Sequence, residues 1–434
     1  MPDVIKKTIE QILRVYARHL LKRKKPLVVG VTGSVGKTST KEAIAVVLVS
    51  KYKTWQSQKN YNNELGVPLT ILGLETGGRS IAHWIGNLIQ GLFIALFVSK
   101  YPQALVLEMG IDRPGDMDYL LTIVRPQIAV LTAIGPTHLE YFDSVKHITE
   151  EKGKLAQTIR KGGTAILNSD DERVRKLGED LRCRVLTFGF HEKADVRGTV
   201  SETGLVVDSD KWLQAPDAGR VGISFKVEYN GQSVPVRLPG VGLPTAYAAL
   251  AAAGVGLSQK MNLVKISSAL RQFQPLPGRM RLIEGVKRTM IIDDTYNSAP
   301  ASALAALNFL NEVHCSGAKV AVLGDMLELG IYTEEGHRQV GHQAAKVVDY
   351  LVTVGRRAKF IAQAAREAGL SRVREFDTYT GVGEYLENQL NEFDVTLVKA
   401  SQGIRLEKVV KEIMAHPEKA SKLLVRQSKR WEQI

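Results

Sequence analysis

Short aliphatic runs alternate along this chain with longer segments in which apolar residues recur at helical spacing. The first run begins at Leu27, and three more follow at residues 104–109, 128–133 and 165–167. Each run is apolar at nearly every position, which is typical of strands that are buried on both faces of a sheet. Strands that are separated by helices pair in parallel. The pattern therefore predicts an α/β fold whose central parallel sheet starts at residue 27.

The pattern changes twice further along the chain. Residues 185–240 contain turn residues and short alternating runs, which predict a small antiparallel β excursion. Prolines then interrupt the chain at residues 275–277, and beyond them aliphatic runs alternate with helical segments again. We predict a first domain over residues 27–275, a second, Rossmann-like α/β domain over residues 276–434, and a separate helix in residues 1–26.

Residues 4–21 show an amphipathic pattern ahead of the first strand. Their apolar residues fall on one helical stripe, their basic residues lie mostly off that stripe, and Pro26 ends the helix. No long apolar core or cleavage site follows, so the segment is not a secretory signal. Two interpretations stay open: a basic helix that lies on a membrane surface, or a helix whose stripe docks on the globular body.

Residues 81–98 form a strongly apolar run of 18 residues. The run is barely long enough to span a bilayer, and His83, Asn87 and Gln90 would be costly in hydrocarbon. We expect a one-sided helix at a membrane surface or against a partner. A buried core helix and a true membrane span are the alternatives.

The composition is that of an ordinary globular protein, with 44% hydrophobic and 24% charged residues. Cys183 and Cys315 have no metal-site spacing and indicate a reducing compartment, which predicts a cytoplasmic location. The formal charge of +13 is concentrated at the ends, because residues 1–25 carry +6 and residues 416–434 carry +3. A groove for nucleic acid is therefore not expected, whereas basic ends suit an anionic surface.

Candidate chemistry begins directly after the first strand. A glycine-rich turn ends there in Gly-Lys-Thr and leads into a helical segment, which is the order of a phosphate-binding loop. The usual frame would place its first glycine at Val31, whereas the glycines here lie at 30, 33 and 36. In such loops backbone N–H groups approach the phosphates, the lysine reaches the terminal phosphates and the hydroxyl holds Mg²⁺. The predicted nucleotide-binding residues are Gly33, Ser34, Val35, Gly36, Lys37, Thr38 and Ser39.

Two polar features follow this loop. Glu108 ends an aliphatic strand, at the edge where open α/β sheets bind their ligands. The loop at residues 59–68 contains three asparagines, which are typical of turns or of amides that face a ligand.

The motifs occur in an order that resembles the Mur ligase family over about residues 27–410. Besides the phosphate-binding loop, the resemblance is carried by the blocks at 60–68, 108–110, 137–140, 152–153, 168–171, 278–279, 293–300, 323–330 and 398–401. The blocks at 60–68, 293–300 and 323–330 are most similar to the branch of the family that adds D-alanyl-D-alanine.

This resemblance implies an ATP-dependent amide-bond ligase of peptidoglycan precursor synthesis. In that family ATP phosphorylates a peptide carboxylate, an amine attacks the acyl phosphate, and phosphate leaves. The implied partners are a muramyl-peptide precursor and D-Ala-D-Ala, with ATP and two Mg²⁺ ions as cofactors. Such chemistry needs phosphate positioning and charge neutralisation more than a nucleophilic side chain.

The resemblance also implies roles for single residues. Thr38 and Glu108 match the ligands of one Mg²⁺, and His138 matches a ligand of the second ion. Lys152 matches a lysine that is carbamylated in the family, so that an added carboxylate bridges to metal. The implied catalytic residues are Lys37, Glu108, His138, Lys152 and Arg279.

Other implied site residues lie in the second domain and in the asparagine loop. Arg279 matches the arginine that reaches the ATP phosphates, and Asp294 matches the acid that contacts the ribose, so domain closure would complete the site. The implied substrate-binding residues are Asn62 and Asn63 on the acceptor side, and Asp325, Glu328 and His337 near the incoming amine.

The sequence departs from the family pattern in two places that bear on substrate binding and on membrane contact. Only 26 residues precede the first strand, too few for the N-terminal domain with which this branch holds the UDP sugar. The run at 81–98 resembles an insertion, and with residues 1–25 it predicts peripheral contact with the inner face of the membrane. The alternatives are a Mur-superfamily ligase with another acceptor or amine, and a non-catalytic ATP-binding partner subunit.

Overall fold

The architecture was analysed in a computed structural model of the chain. It describes residues 3–58, 61–78, 80–136, 140–199, 222–239 and 241–428, together with residues 209, 213 and 431. The first element is helix α1 (Asp3–Lys24), and Lys25 leaves it in a left-handed conformation with φ of 47° ahead of Pro26. The buried apolar stripe of α1 consists of Ile9, Leu13, Ala17 and Leu20. The stripe therefore docks on the globular body, as one of the two interpretations predicted.

The first sheet contains nine strands among the described residues, in the order β2-β3-β1-β4-β5-β6-β7-β8-β9. The strands are β1 (Leu27–Thr32), β2 (Thr54–Gln56), β3 (Ala104–Glu108), β4 (Ile128–Leu131), β5 (Thr164–Asn168), β6 (Arg184–Gly189), β7 (Val196–Thr199), β8 (Gly222–Tyr229) and β9 (Gln232–Pro239). Strands β1 to β7 pair in parallel, and β8 pairs antiparallel with β7 and β9. The antiparallel excursion predicted over residues 185–240 is confirmed for β8 and β9, whereas β6 in the same range continues the parallel sheet, and the whole excursion extends that sheet.

Helices cover both faces of this sheet. Those after α1 are α2 (Lys37–Val49), α3 (Gly66–Leu72), α4 (Ile81–Phe97), α5 (Asp116–Ile123), α6 (Val145–Gln157), α7 (Glu172–Leu177), α8 (Leu243–Ser258) and α9 (Leu263–Leu270). Helices α2, α8 and α9 share one core, and α1 and α3 to α7 share the other. The neighbours Val28 and Val29 on β1 point into opposite cores. This two-sided burial explains why the strands are apolar at every position.

A second sheet of six strands forms from the following part of the chain, in the order β10-β11-β15-β12-β13-β14 as far as the structure describes it. The strands are β10 (Arg281–Gly285), β11 (Thr289–Asp294), β12 (Lys319–Gly324), β13 (Tyr350–Val354), β14 (Val373–Phe376) and β15 (Val395–Lys399). Only β10 is antiparallel to its neighbour in this sheet of described strands. The predicted second α/β fold is confirmed.

Helices flank the second sheet on both faces as well. They are α10 (Pro300–Glu312), α11 (Thr333–Val347), α12 (Lys359–Glu367), α13 (Val382–Gln389), α14 (Glu407–Ile413) and α15 (Ala420–Leu423). Helices α10 to α12 pack on one face, and α13 to α15 pack on the other. Short 3₁₀ turns lie at Val286–Arg288, Gly330–Tyr332, Gln402–Ile404 and Pro417–Lys419.

The carboxyl ends of strands from both sheets meet at one place. Strand β1 ends there at the phosphate-binding loop, β3 ends at Glu108 and β11 ends at Asp294. Open α/β sheets bind ligands at this end of their strands. The two sheets therefore present their functional edges to a shared space.

Candidate active site

The loop between β1 and α2 has the backbone of a phosphate-binding turn. Gly33 (φ 148°) and Gly36 (φ 86°) adopt conformations that side chains of L-residues rarely reach. A Cβ atom on Gly33 would lie 1.9 Å from the hydroxyl oxygen of Thr132. That hydroxyl donates a hydrogen bond of 2.6 Å to the carbonyl of Val35 and so ties the loop to the end of β4. The result is a rigid turn that presents the amino end of α2 to an anion.

Lys37 opens α2, and its ammonium group lies over the loop. Its Nζ donates to the carbonyl oxygen of Gly33 at 2.7 Å. Desolvation lowers the pKa of Lys37, the Glu108 carboxylate opposes this shift, and the charge of Arg279 adds to it. A negative ligand in the loop would favour the charged lysine. The position suits contact with phosphate.

Glu108 ends β3 as a buried carboxylate with 4% exposure. Its Oε1 accepts a hydrogen bond of 3.2 Å from Asn62 Nδ2, and its backbone N–H donates to Ser57 Oγ. Its other oxygen, Oε2, is buried without a hydrogen-bond partner among the described residues. A buried, unsatisfied carboxylate oxygen is costly, so this atom is a candidate cation ligand.

Lys152 lies on α6 and is 1% exposed. Burial moves the pKa of Lys152 well below its usual value, and the charge of Lys37 lowers it further, against the attraction of Asp112 and Glu151. The adjacent Glu151 accepts backbone hydrogen bonds of 3.0 Å from Gly115 and from the residue at 117. Because Glu151 holds the start of α5, the segment around Lys152 is firmly fixed.

Arg279 connects the two halves of the site. Its Nη2 donates to the hydroxyl of Thr38 at 3.0 Å, 241 residues away in the sequence. Its guanidinium carbon lies 4.0 Å from the centre of the Tyr296 ring. Stacking and hydrogen bonding together fix the plane of the guanidinium group. The structure thus brings this predicted residue to the phosphate-binding loop.

Asp294 ends β11 and forms an ion pair with a nearly buried lysine. Lys399 Nζ lies 2.5 Å from Asp294 Oδ2 and also donates to the carbonyl of Asn297 at 2.9 Å. The N–H of Met280 donates to the other carboxylate oxygen at 3.2 Å. Asp294 is therefore oriented from two sides.

Lys37, Glu108, Arg279 and Asp294 line one cavity of about 410 Å³ between the two sheets. Its wall includes residues from both domains. Of the sequence-predicted residues, the cavity wall contains Ser34, Val35, Gly36, Lys37, Thr38, Ser39, Asn62, Glu108, Arg279, Asp294 and Glu328. The structure therefore assembles most of the expected site in one place.

Lys152 and Gly33 are not among the residues that line the cavity, and three further predicted residues have other positions. Asn63 accepts a hydrogen bond from the N–H of Gly66 at 3.0 Å, which supports the start of α3. Asp325 accepts backbone hydrogen bonds of 2.9 and 2.7 Å from residues 357 and 358. His337 is fully buried, accepts from the N–H of Met326 and bonds the carbonyl of residue 333 through Nδ1. In the described structure their polar atoms support loops, and contact with substrate stays a prediction for them.

Some residues of the expected site lie outside the described part of the chain, and others were not expected there. His138 lies outside the described residues, as does Asn60. Sequence spacing alone assigns no role to Tyr296 or Lys399, which contact Arg279 and Asp294 in the structure. Both residues lie in the blocks at 293–300 and 398–401 that carry the resemblance, and that position is the signal in the sequence that points to them.

The comparison with known families decides the affiliation. Residues 31–84 and 86–256 match the family described as Mur ligase middle domain, which is more than half of the chain. Residues 278–402 match the family described as Mur ligase, glutamate ligase domain. The chain belongs to the Mur ligase family.

Two relatives of this Mur ligase from different bacteria have the same name. It is 28% identical over 411 residues to UDP-N-acetylmuramoyl-tripeptide–D-alanyl-D-alanine ligase of Bacillus subtilis, covering 94% of this chain and 79% of the relative. It is 30% identical over 387 residues to the Escherichia coli protein of the same name, covering 88% and 76%. The structure of MurF ligase from Thermotoga maritima in complex with ADP aligns with a TM-score of 0.75 at 25% identity, covering 95% of this chain and 84% of that chain.

Proposed function

We propose that this Mur ligase joins D-alanyl-D-alanine to a UDP-N-acetylmuramoyl-tripeptide at the expense of ATP. The observation that carries the proposal is the single cavity in which the loop of Lys37 and Thr38 faces Arg279 and Asp294. The names of the relatives and the ADP complex of one of them support the same activity.

ATP would bind with its phosphates on the loop. Backbone N–H groups of residues 33–38 and the ammonium of Lys37 hold the β- and γ-phosphates. Arg279 approaches the γ-phosphate from the second domain, because it already reaches the Thr38 hydroxyl. Asp294 serves the ribose, held in place by its pair with Lys399. The second domain thus completes the nucleotide site.

The residues present fit a magnesium ion. Glu108 offers a buried carboxylate oxygen that lacks a hydrogen-bond partner in the described structure, and the Thr38 hydroxyl lines the same cavity. Carboxylate and hydroxyl oxygens are hard ligands of the kind that Mg²⁺ prefers. Bound there, Mg²⁺ would neutralise charge on the phosphates. We assign His138 and Lys152 to a second ion.

Lys152 is proposed to carry a carbamate. Its neutral amine is favoured by burial and by the repulsion from Lys37, and a neutral amine is the form that attacks CO₂. The Nζ–C bond forms, one amine proton is released, and a neutral amine becomes an anionic carbamate. The change places a negative charge near the ammonium of Lys37 and creates oxygen ligands for a cation.

The reaction then needs positioned groups and no protein nucleophile. A carboxylate oxygen of the tripeptide attacks the γ-phosphorus, and the bond to the ADP oxygen breaks. The dipeptide amine next attacks the acyl carbon, loses a proton and expels inorganic phosphate. Lys37 and Arg279 hold the phosphoryl oxygens, Asn62 stands on the acceptor side, and Glu328 lies on the cavity wall for the amine side.

The direct experiment measures phosphate release from ATP by the full chain with UDP-N-acetylmuramoyl-tripeptide and D-Ala-D-Ala. We expect release only when both substrates are present, and about 10²- to 10³-fold less with Lys37→Met. Lys51→Met is the matched control, because Lys51 is exposed and lies on the first turn after α2. If phosphate is released only with a different acceptor or a different amine, the protein is another Mur ligase. If no pair of substrates gives phosphate release, the protein is a non-catalytic ATP-binding partner subunit.

A further inference from the structure

Helix α4 exposes many large apolar side chains, although its polar Asn87 is buried and only His83 and Gln90 add polar groups to its exposed side. Asn87 is 4% exposed and points inward, where its Nδ2 donates to the carbonyl of Glu75 at 2.7 Å. Trp84 is buried beside it and donates to the carbonyl of Gly78. The outward face carries seven large apolar side chains with exposures of 42–68%: Ile81, Ile85, Ile89, Leu92, Phe93, Leu96 and Phe97. A contiguous apolar face of this kind marks an interaction surface.

Basic residues flank the carboxyl end of this face, and acidic residues are absent from it. Arg23 and Lys24 of α1 donate to the carbonyls of residues 94, 98 and 99, so α1 and α4 end side by side. Lys22, Lys25 and Lys100 are exposed at the same end. The sequence contains no Asp or Glu in residues 11–41 or 76–107. Apolar side chains and basic residues therefore occur together, within segments that contain no acidic residue.

We propose that the exposed face of α4, with the basic residues at the end of α1, docks on an anionic lipid bilayer. Hydrophobic insertion combined with several basic residues is the pair of signals that gives stable peripheral binding. A protein partner matching this surface would have to combine an apolar groove with excess negative charge, whereas an anionic bilayer offers both everywhere. This proposal stands apart from the ligase activity.

The size of α4 fits a helix that lies in the interface. Its 17 residues give a length of roughly 25 Å. Across the part of the chain that the structure describes, no helix has the length and apolar character needed to cross a bilayer. The buried side of α4 packs on α1, where Gly91 approaches Tyr16. The helix would therefore insert its outer side chains while its inner side stays on the protein.

The test is sedimentation of the full chain with vesicles at low salt. We expect binding to phosphatidylcholine vesicles that contain phosphatidylglycerol, and at least tenfold weaker binding to pure phosphatidylcholine. Phe93→Gln with Phe97→Gln should weaken binding by roughly tenfold or more, because two inserted rings are lost. Lys22→Gln with Lys25→Gln should also weaken it by roughly tenfold and reduce its salt dependence.

The matched control lies on the opposite face of the first sheet. Val264 (69% exposed) and the exposed Lys265 belong to α9, and Val264→Gln with Lys265→Gln should leave vesicle binding unchanged. Circular dichroism checks that every variant is folded. The proposal is overturned if the protein stays in the supernatant with phosphatidylglycerol vesicles, or if the Phe93 and Phe97 changes do not alter binding. A dimer that these two changes dissociate, without vesicle binding, would show that a second copy covers the face.

Discussion

Tyr296 illustrates how one residue can connect distant parts of the chain. Its ring lies under the Arg279 guanidinium, and its carbonyl accepts a hydrogen bond of 2.6 Å from Arg426. Arg426 also pairs at 3.0 Å with Glu407, which is fully buried and bonded on its other oxygen by Arg405. The Tyr296 ring under Arg279 is therefore held by a buried group of charges that is not part of the cavity wall.

Arg426→Gln should lower both stability and activity. Glu407 would lose one of its two cationic partners while it stays buried, which is expected to reduce the free energy of unfolding by about 3 kcal/mol. Ligase activity should fall because Tyr296 loses its support. Urea unfolding and phosphate release measure the two effects. Arg366→Gln is the control, because it removes an exposed ion pair with Glu375 and should lower the free energy of unfolding by less than about 1 kcal/mol. An equal loss of stability in both variants would contradict the stabilising role of Arg426 on buried Glu407.

Lys152→Ala should reduce phosphate release by about 10²- to 10³-fold, because a ligand and its charge are lost together. Short carboxylates such as acetate should restore part of the activity, since they can replace the carbamate group. Lys146→Ala is the control, because that side chain is 86% exposed on the same helix. An inactive variant that no carboxylate rescues would count against carbamylation.

Asp293 gives a pH dependence with a defined sign. Burial raises the pKa of Asp293 to about 6 in the folded protein, against hydrogen bonds from Thr295 and Gly278. The folded state then binds more protons than the unfolded state between about pH 4 and 6, so stability contributed by this group is lost as pH rises through that range. Urea unfolding should show wild type losing stability relative to Asp293→Asn from pH 4 to 6. A constant difference would contradict this.

The sequence predicts the parts of the site that lie within one contiguous segment, but it does not predict the contacts between residues far apart in the chain. Lys37 and its loop follow from a strand, a glycine-rich turn and a helix that are contiguous in sequence. The pair of Lys399 and Asp294 spans 105 residues, and the bond from Arg426 to Tyr296 spans 130. Nothing in local spacing indicates such contacts, because the fold of the second sheet creates them.

At the scale of elements, helix α4 shows what a pattern can and cannot predict. Its apolar run correctly indicated a helix, with bounds one residue from those expected. The run could not show which side faces out, because both sides are apolar. The inward turn of Asn87 depends on a carbonyl offered by Glu75, and that contact exists only in the folded chain.

The β excursion shows that alternation predicts strands but does not predict which strands pair. Strands β8 and β9 were indicated by their alternation and lie antiparallel as expected. Their attachment to the main sheet depends on β7, which pairs in parallel with β6 and antiparallel with β8. The choice of strand partners is made between distant segments, so periodicity alone did not reveal it.

Two glycines of α4 test the packing of that helix. A Cβ atom on Gly91 would lie 3.3 Å from the Tyr16 ring, whereas one on Gly86 would meet nothing within 4 Å. Gly91→Leu should overpack the contact with α1 and cost roughly 1–3 kcal/mol. Gly86→Leu should be neutral or stabilising by less than about 1 kcal/mol, through helix propensity. Thermal unfolding of the two variants compares them, and equal transition temperatures would contradict the close packing.

At the scale of the whole molecule, the site depends on how two sheets are placed. Lys37 and Glu108 belong to the first, and Asp294 belongs to the second. Arg279 lies just before β10 and reaches across to Thr38. A change in the angle between the sheets would therefore open or close the cavity as a unit.

The stability gained on nucleotide binding should show whether the second domain contacts the nucleotide through Arg279. A non-hydrolysable ATP analogue at 100 times its dissociation constant should raise the free energy of unfolding by about 2.7 kcal/mol. Arg279→Ala should show a clearly smaller rise at the same analogue concentration, because the second domain no longer contacts the phosphates. Calorimetry with and without the analogue measures both. An unchanged rise would place Arg279 outside the nucleotide site.

The docking of α1 also has a consequence in time. The helix ends at Lys24, but its neighbours α3, α4 and α5 are complete only at Leu72, Phe97 and Ile123. At typical rates of synthesis this interval of about 100 residues lasts roughly 5–20 s. Until then the nascent stripe of Leu13 and Leu20 is at most partly covered by its own chain. An uncovered apolar stripe favours aggregation or chaperone binding, so the yield of folded protein depends on how soon these helices follow α1.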